Sequence, residues 1–333
     1  MNHRKQKLIT NASILTISGL WLFLLGIQTA IGQESSTRTG NRIVNPLPVE
    51  SVQVQGIRRT VRFYHPGRLS NHPAVLLLLH GGGGDGERFR RLTDRAFERL
   101  ADEKGFLVAY PDAIGGQWNG CRANASYHEA LAGIDEIAFL HSVVRRAETI
   151  LGQAPAGVFV VGYSNGGHLV FRLALEAPND FTALAAIGAS LPVPGERDCG
   201  SSNTPVSIFL ISGTDDPINP WAGGTVVPPG GGSLGQVISV EATADYFRGL
   251  MGSTDKPRIK HYPDRDRQDG TRVETRRWLV QGREVVLMAV HGGGHSLPYP
   301  TAHFPVDLVG RTSRDIDGAR ALWNFFRRHL TED

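Results

Sequence analysis

The sequence predicts an α/β protein in which helices cover both faces of a mostly parallel sheet. Several short runs are apolar at consecutive positions, as in residues 74–79, and such runs are typical of strands that are buried on both faces. Segments with helical spacing of apolar residues follow most of these runs. Residues 46–333 contain no internal repeat and no break in composition, so we expect a single catalytic domain there.

The elements alternate along the chain. Residues 49–55 and 60–64 are two short strand candidates that could pair as an antiparallel hairpin. The further predicted strands are residues 74–79, 106–110, 158–161, 183–187, 206–211 and 285–290, and the predicted helices are residues 89–104, 134–151, 165–177, 240–250 and 319–330. Regular alternation of strand and helix favours parallel pairing, because each helix carries the chain back across the sheet.

One segment departs from this alternation. Residues 217–236 contain six Gly and four Pro, a composition that we interpret as a long surface loop without regular structure. Loops of this length are often functional, and this one follows a predicted strand that ends in acidic residues.

Composition narrows the possible classes of protein. Of 333 residues, 41% are hydrophobic and 20% are charged, which excludes a disordered chain. Two Cys exclude a disulfide-dense scaffold and a Cys-rich zinc module. The formal net charge of +3 comes from three basic residues within the first seven positions. The remainder is neutral, so we expect no nucleic-acid partner.

The N-terminus predicts export. Residues 1–32 combine a basic start, a mostly apolar stretch over residues 14–27, and small residues at Ala30 and Gly32, which is the pattern of a signal peptide cleaved before Gln33. The alternative is a permanent anchor helix, but the apolar stretch is shorter than the roughly 20 residues of a span. We therefore expect a secreted protein with no stable membrane anchor after cleavage.

Export affects the interpretation of the segment after the signal peptide and of the two cysteines. Residues 33–45 are polar and are interpreted as a flexible leader. In an oxidising compartment Cys121 and Cys199 can form a disulfide, and both follow predicted strands in loops. The alternative is a pair of free buried thiols.

The strongest local signal is a strand–turn–helix motif around Ser164. Gly162-x-Ser164-x-Gly166 lies between an apolar run and a helical segment, as in the nucleophile elbow of hydrolases. The tight turn requires small residues beside the serine, and the helix that begins at Asn165 directs backbone N–H groups toward a developing anion. We predict that Ser164 is a catalytic nucleophile.

A nucleophilic serine needs a base and an orienting acid, which follow it in the order acid then histidine in this arrangement. Asp215 and Asp216 come directly after one buried strand, and His291 and His295 follow the last one. Sequence position alone does not decide between the two aspartates or between the two histidines. The histidines are four residues apart, as in a metal-binding helix, but the three Gly between them disfavour a helix. We therefore expect no metal.

The loop after the first long apolar run supplies a candidate oxyanion hole. The sequence His80-Gly-Gly-Gly at the end of a strand is typical of lipases and esterases, in which a backbone N–H approaches the substrate oxygen. Gly81-x-Gly83-x-x-Gly86, with Asp102 further on, also fits a dinucleotide-binding fingerprint. That alternative leaves the serine motif and the histidine loop unexplained, so we expect no cofactor.

Other residues are weaker candidates. Trp118, Trp221 and Tyr299 lie in loops at the predicted catalytic edge of the sheet, where they could bind substrate or simply pack the loops. Asp135 is interpreted as a residue at a helix N-terminus, and His168 as a structural residue.

Five ordered blocks carry a family resemblance. HGGGGDGERF, YPDAIGGQWNGC, VGYSNGGH, ISGTDDPINPWAGG and HGGGHSLPYP together resemble the extracellular polyhydroxybutyrate depolymerase/feruloyl esterase-like family, which is allied to the family-one carbohydrate esterases. The resemblance runs over about residues 61–330. Ser212 stands where the family usually has His, and residues 296–298 replace a common Trp-Pro.

The resemblance implies an α/β-hydrolase fold and hydrolysis of carboxylic esters without a cofactor. It assigns the nucleophile to Ser164, the acid to Asp216 rather than its neighbour, and the base to His295. The oxyanion hole is expected from the backbone N–H groups of Gly82 and Asn165.

The function expected from the sequence is that of a secreted serine esterase. Feruloyl or acetyl esters of plant polysaccharide are the expected substrates, and polyhydroxyalkanoate is the alternative. Enzymes that degrade the insoluble polymer usually add a polymer-binding domain, for which we expect no room in this chain. A peptidase on the same fold is a third possibility, but it usually carries a propeller or cap domain, which we do not find in the sequence. A non-catalytic binding protein is the alternative of another class, and the filled triad positions argue against it.

Overall fold

The computed structural model of the protein describes residues 46–301 and 304–330. The predicted signal peptide (residues 1–32) and leader (residues 33–45) lie outside the described residues. The described residues belong to one compact unit. Within the described ranges no helix combines the length and the apolar character that crossing a membrane requires.

The described residues contain twelve strands, of which ten form the central sheet. In chain order the strands are β1 (Val49–Val54), β2 (Ile57–Tyr64), β3 (Val75–Leu79), β4 (Leu107–Pro111), β5 (Val158–Tyr163), β6 (Ala183–Ile187), β7 (Ile208–Gly213), β8 (Gly224–Thr225), β9 (Gln236–Val237), β10 (Arg258–His261), β11 (Arg272–Val280) and β12 (Arg283–His291). The order across the sheet is β1-β2-β4-β3-β5-β6-β7-β12-β11-β10, while β8 and β9 pair separately. The central six, from β4 to β12, are parallel.

The antiparallel strands lie at the two edges of the sheet. β1 and β2 form the predicted hairpin, and β2 is antiparallel to β4. At the other edge, β10 and β11 continue antiparallel from β12. The fully apolar strands, such as β3 and β6, are buried at every position, as expected for strands covered on both faces.

Helices cover the two faces. They are α1 (Gly86–Leu92), α2 (Ala96–Lys104), α3 (Glu136–Leu151), α4 (Asn165–Glu176), α5 (Val240–Leu250), α6 (Val306–Val309) and α7 (Gly318–Phe326). The apolar sides of α3, α4 and α5 join one core cluster, and those of α1, α2 and α7 join the other. Asp135 caps the N-terminus of α3 by accepting a hydrogen bond from the Ala138 N–H at 2.8 Å, as interpreted from the sequence.

The single helix predicted for residues 89–104 is wrong, because the chain breaks it into α1 and α2. Asp94 and Arg95 have φ values of 47° and 54° between the two helices, which ordinary helical backbone does not adopt. Buried Arg90 on α1 forms an ion pair with Glu98 on α2. The break lets these two side chains meet, and a regular helix would not place residues eight apart on adjacent turns.

Strands β10 and β11 were missed in the sequence analysis. β11 carries Glu274, Arg276 and Arg277, so it lacks the apolar run that identified the parallel strands. Its charges are paired, for example Arg276 with Glu241 on α5 at 2.7 Å. The segment 217–236 is mostly loop, although it also contains β8 and the first residue of β9.

Candidate active site

Ser164 occupies the sharp turn between β5 and α4. Its backbone has φ 54° and ψ −114°, a strained combination for a residue with a side chain. A Cβ on Gly162 would lie 2.1 Å from the Gly166 carbonyl oxygen, and one on Gly166 would lie 2.5 Å from the Leu79 oxygen. Both positions therefore need glycine, and the turn presents the partly exposed serine at the carboxyl edge of the sheet.

Two loops bring a histidine and an aspartate together. His295 follows β12 and Asp216 follows β7, and the His295 Nδ1 lies 2.7 Å from Asp216 Oδ2. The other carboxylate oxygen of Asp216 accepts hydrogen bonds from the Ile218 and Asn219 N–H groups at 2.8 and 2.9 Å. Because both oxygens are held, the carboxylate fixes the ring and its Nδ1–H tautomer.

The His295 ring lies near the backbone that follows β6 and that holds the serine turn. The Ser164 N–H donates to the Ile187 carbonyl at 2.8 Å, and a Cβ on the adjacent Gly188 would lie 2.8 Å from the His295 ring. Nε2 of His295 is buried and has no hydrogen-bond partner among the described residues. With Nδ1 committed to the carboxylate, Nε2 is the nitrogen that can take a proton.

The competing acid and histidine lie elsewhere. Asp215 is exposed and accepts a hydrogen bond from the Thr214 hydroxyl at 3.0 Å. His291 is half-exposed and lies 3.7 Å from Glu274. His168 is buried on α4, where burial holds its pKa well below the usual range, as suits a structural residue. In the described part of the chain, no three His, Cys, Asp or Glu side chains form a candidate metal site.

The glycine loop after β3 lies beside the nucleophile. A Cβ on Gly81 would be 3.4 Å from the Cβ of Ser164. The N–H groups of Gly83 and Gly84 donate to backbone carbonyls at 2.8 and 3.2 Å. The N–H of Gly82 has no acceptor among the residues that the structure describes, so it is free to bind a substrate oxygen.

Both ring nitrogens of His80 form hydrogen bonds with backbone groups, and these bonds hold the loop in place. Nε2 accepts from the Ala113 N–H at 3.0 Å, so the proton is on Nδ1, which lies 2.8 Å from the Gly81 carbonyl oxygen. Burial lowers the pKa of His80, which keeps this neutral tautomer. The Gly81 carbonyl and the Gly82 N–H belong to one planar peptide, so His80, together with the Gly84 N–H that donates to the same carbonyl at 3.2 Å, sets the direction of the Gly82 N–H.

The three predicted substrate-binding aromatics all make packing contacts in the structure. Trp118 is fully buried against Phe139, so the alternative of loop packing is the one observed. The Tyr299 hydroxyl accepts a hydrogen bond from Arg99 at 2.6 Å, and its ring packs against the core. Trp221 is partly buried against the other core cluster. None of these contacts shows a role in binding substrate.

The side chain of Asn165 has contacts that the sequence analysis did not anticipate. Its Oδ1 accepts from the Trp118 N–H at 2.7 Å, and its Nδ2 donates to the Tyr127 hydroxyl at 2.7 Å. Gln117 was also missed, although a Cβ on Gly82 would lie 2.9 Å from the Gln117 Oε1. In the sequence, Gln117 precedes Trp118 and Asn165 follows Ser164, but neither position indicates these side-chain contacts.

Cys121 and Cys199 form a disulfide with their Cα atoms 4.9 Å apart. The expected bond, rather than a pair of free thiols, is therefore confirmed. It joins the loop after β4 to the loop after β6, both at the edge of the sheet that carries Ser164.

Comparison with known proteins agrees with the fold. The family model described as alpha/beta hydrolase fold matches residues 74–206. NocK of Nocardia uniformis subsp. tsuyamanensis, whose name gives it as a candidate esterase, is 28% identical over 286 residues, covering 82% of this chain and 80% of NocK. An acetylxylan esterase of Coprinopsis cinerea is 29% identical over 164 residues, covering 49% of this chain and 40% of that enzyme.

A solved structure shows the same fold. The acetyl xylan esterase from Aspergillus awamori superposes with a TM-score of 0.53 at 14% identity, covering 84% of this chain and 99% of that one. The strand order and the family match over residues 74–206 give the chain an α/β-hydrolase fold, and its esterase relatives indicate a carboxylic ester hydrolase.

Proposed function

We propose that the protein is a serine esterase in which Ser164 is the nucleophile, His295 the general base and Asp216 the orienting acid. One observation carries the proposal. The His295 ring is held by Asp216 at 2.7 Å through Nδ1, its Nε2 is buried and unpartnered among the described residues, and the ring lies beside Gly188, the neighbour of the Ile187 carbonyl that accepts from the Ser164 N–H.

The chemistry follows from these positions. His295 Nε2 takes the hydroxyl proton as Ser164 Oγ bonds to the ester carbonyl carbon, and the imidazolium then gives that proton to the leaving alcohol. Asp216 stabilises the imidazolium. Water next attacks the acyl-enzyme by the same route, which releases the acid and restores the serine.

The oxyanion of each tetrahedral intermediate is proposed to bind two backbone donors. Gly82 has an N–H without an acceptor among the described residues, and Asn165 is the first residue of α4, so its N–H lacks an intrahelical partner. The positive end of the helix dipole adds to the stabilisation.

The proposed substrates are acetyl or feruloyl esters of plant polysaccharide. The name of the Coprinopsis relative supports acetyl esters, and the sequence blocks support both classes. Secretion is part of the proposal. The disulfide supports an oxidising compartment, and the first 32 residues have the pattern of a signal peptide.

The test measures hydrolysis of p-nitrophenyl acetate, methyl ferulate, acetylated xylan and polyhydroxybutyrate by the purified protein. We expect Ser164→Ala to lower kcat by at least about a thousandfold. Ser142→Ala, which removes a hydroxyl on the far helix α3, is the matched control and should keep wild-type activity.

The pattern across the panel decides the substrate class. A preference for polyhydroxybutyrate would overturn the assignment of polysaccharide esters as substrates, but it would not affect the assignment of the triad. Equal activity of wild type and Ser164→Ala on every ester would overturn the triad itself and favour a non-catalytic binding protein.

A further inference from the structure

Two arginines lie side by side next to the disulfide. The segment after Cys121 pairs in antiparallel fashion with the segment before Cys199, so that Arg122 is directly opposite Arg197. Residues opposite each other in an antiparallel pair project to the same face, and like charges there are unfavourable. The disulfide therefore holds together two segments whose charges repel.

Arg122 is buried without a counter-ion. Its exposed fraction is 4%, and no carboxylate of the described residues lies within ion-pair distance. One nitrogen, Nη2, donates to the Tyr127 hydroxyl at 2.5 Å. Nε and Nη1 are buried with no hydrogen-bond partner in the described part of the chain. An arginine is always charged and rarely stays buried unpaired, so these free donors point to an anionic ligand.

The neighbouring groups do not supply that anion. Asp198 pairs with Arg172 at 3.2 Å, and Glu196 accepts from the Gln236 N–H at 2.6 Å. His168 has a buried Nδ1 without a partner among the described residues. Its pKa is lowered by burial and by the positive charge of Arg122, so it remains neutral.

Hydrogen bonds link Arg122 through Tyr127 to the residue that follows the nucleophile. The Tyr127 oxygen accepts from Arg122 and, at 2.7 Å, from the Asn165 amide. With two hydrogen bonds accepted, the Tyr127 hydroxyl still has its own hydrogen to donate. Asn165 directly follows Ser164, so an anion bound to Arg122 and Tyr127 belongs to the molecule that reacts there.

We propose that Arg122 and Tyr127 bind a carboxylate of the substrate. A planar guanidinium matches a carboxylate in geometry as well as in charge. The inference rests on the proposed function and narrows it. Acetyl and feruloyl groups use their only carboxyl group in the ester bond, so the free carboxylate belongs to the alcohol part. The substrate is therefore an acylated sugar that carries, or lies beside, a uronate.

The experiment compares matched esters. The first pair is a methyl O-acetylgalacturonoside and its uronamide, which differ only in the charge on the alcohol side. The second pair, monomethyl succinate and methyl succinamate, places the same difference on the acyl side. For wild type we expect kcat/KM to be about tenfold to a hundredfold higher for the uronate than for the uronamide, as hydrogen bonds to a charged group would give. We expect no such ratio in the second pair.

Variants connect the preference to the site. Arg122→Gln should bring the uronate-to-uronamide ratio of kcat/KM near one, and Arg122→Lys should retain part of it. Arg145→Gln, an exposed arginine on α3, is the matched control and should keep the wild-type ratio.

A wild-type ratio near one, or an unchanged ratio in Arg122→Gln, would overturn the proposal and mean that the guanidinium is merely hydrated. A preference confined to the acyl pair would overturn the assignment to the alcohol part. If Arg122→Gln does not fold, the wild-type ratio and Arg122→Lys still decide.

Binding separates this inference from the triad. Calorimetry with the uronate ester and Ser164→Ala measures recognition without turnover. Binding of the uronate about tenfold or more tighter than the uronamide would support the carboxylate site even if every hydrolysis assay failed. Equal binding would overturn the site while hydrolysis of p-nitrophenyl acetate still supported the triad.

Discussion

Replacement of His80 should lower kcat with little change in KM, because this histidine acts on the oxyanion hole through one peptide group. Its Nδ1–H holds the Gly81 carbonyl oxygen at 2.8 Å, and the opposite end of the same peptide is the Gly82 N–H. Without that hydrogen bond the Gly81 carbonyl keeps only the longer bond from the Gly84 N–H at 3.2 Å, so the peptide can rotate more freely and the Gly82 N–H can turn away from the oxyanion. That donor matters mainly in the transition state, where negative charge develops.

The expected size is that of one oxyanion donor. Loss of one such donor typically lowers kcat by about a hundredfold to a thousandfold, so His80→Ala should fall in this range. His80→Asn retains an amide N–H near the position of Nδ1 and loses the acceptor for the Ala113 N–H. The kcat of His80→Asn should therefore be about tenfold higher than that of His80→Ala, in line with the contribution of one hydrogen bond.

The assay is steady-state hydrolysis of p-nitrophenyl acetate by wild type, His80→Ala, His80→Asn and His80→Gln, with the melting temperature measured in parallel. His80→Gln, whose amide reaches toward the Nε2 position, should resemble His80→Ala. If folded His80→Ala kept kcat within about threefold of wild type, or if the loss fell on KM, the link between His80 and the oxyanion donor would be refuted.

We expect three further outcomes, for the orienting acid, for the disulfide and for buried His168. Asp216→Asn should lower kcat by about ten thousandfold on p-nitrophenyl acetate, because the amide favours the wrong tautomer of His295; a loss below tenfold would contradict the triad. Replacing Cys121 and Cys199 by Ser should reduce the free energy of unfolding in urea by about 4–5 kcal/mol, the chain-entropy value for a separation of 78 residues; an unchanged midpoint would contradict it. His168 has a lowered pKa in the folded protein, so its contribution to stability is complete above about pH 6.5 and is lost as the pH falls below that value; His168→Gln should flatten this acid loss in urea titrations.

The nucleophile elbow was predictable because its cause is local. A Cβ at Gly162 or Gly166 would lie within 2.5 Å of backbone atoms, so both positions need glycine. A few neighbouring residues therefore determine the turn. The parallel strands were predictable for a similar reason, since burial on both faces leaves unbroken apolar runs.

Other features depend on contacts between distant segments. The break between α1 and α2 is accompanied by an ion pair between Arg90 and Glu98, which helical periodicity does not reveal. Trp118 was a candidate for binding substrate because aromatic residues in loops often do so. Its burial depends on the Asn165 side chain and the His80 carbonyl, which bind its backbone N–H and its indole N–H at 2.7 and 2.8 Å.

Sequence spacing alone also did not decide which of two aspartates is the orienting acid, or which of two histidines is the base. The choice depends on where each side chain points after its strand ends. Asp216 accepts the N–H groups of its own turn and thereby aims its second oxygen at His295, whereas Asp215 points to solvent. The family resemblance anticipated this pairing because it carried information about that turn.

Asn165 explains how catalysis and recognition can share one site. Its amide binds the backbone of Trp118 on one side and the Tyr127 hydroxyl on the other. Trp118 in turn supports the loop that carries Gly82, and Tyr127 supports Arg122. The residue after the nucleophile thus connects the proposed oxyanion donor to the proposed carboxylate site. Since these contacts place both sites relative to Ser164, a bound uronate would position the ester carbonyl against the oxyanion donors, and binding energy from the sugar would contribute to the rate.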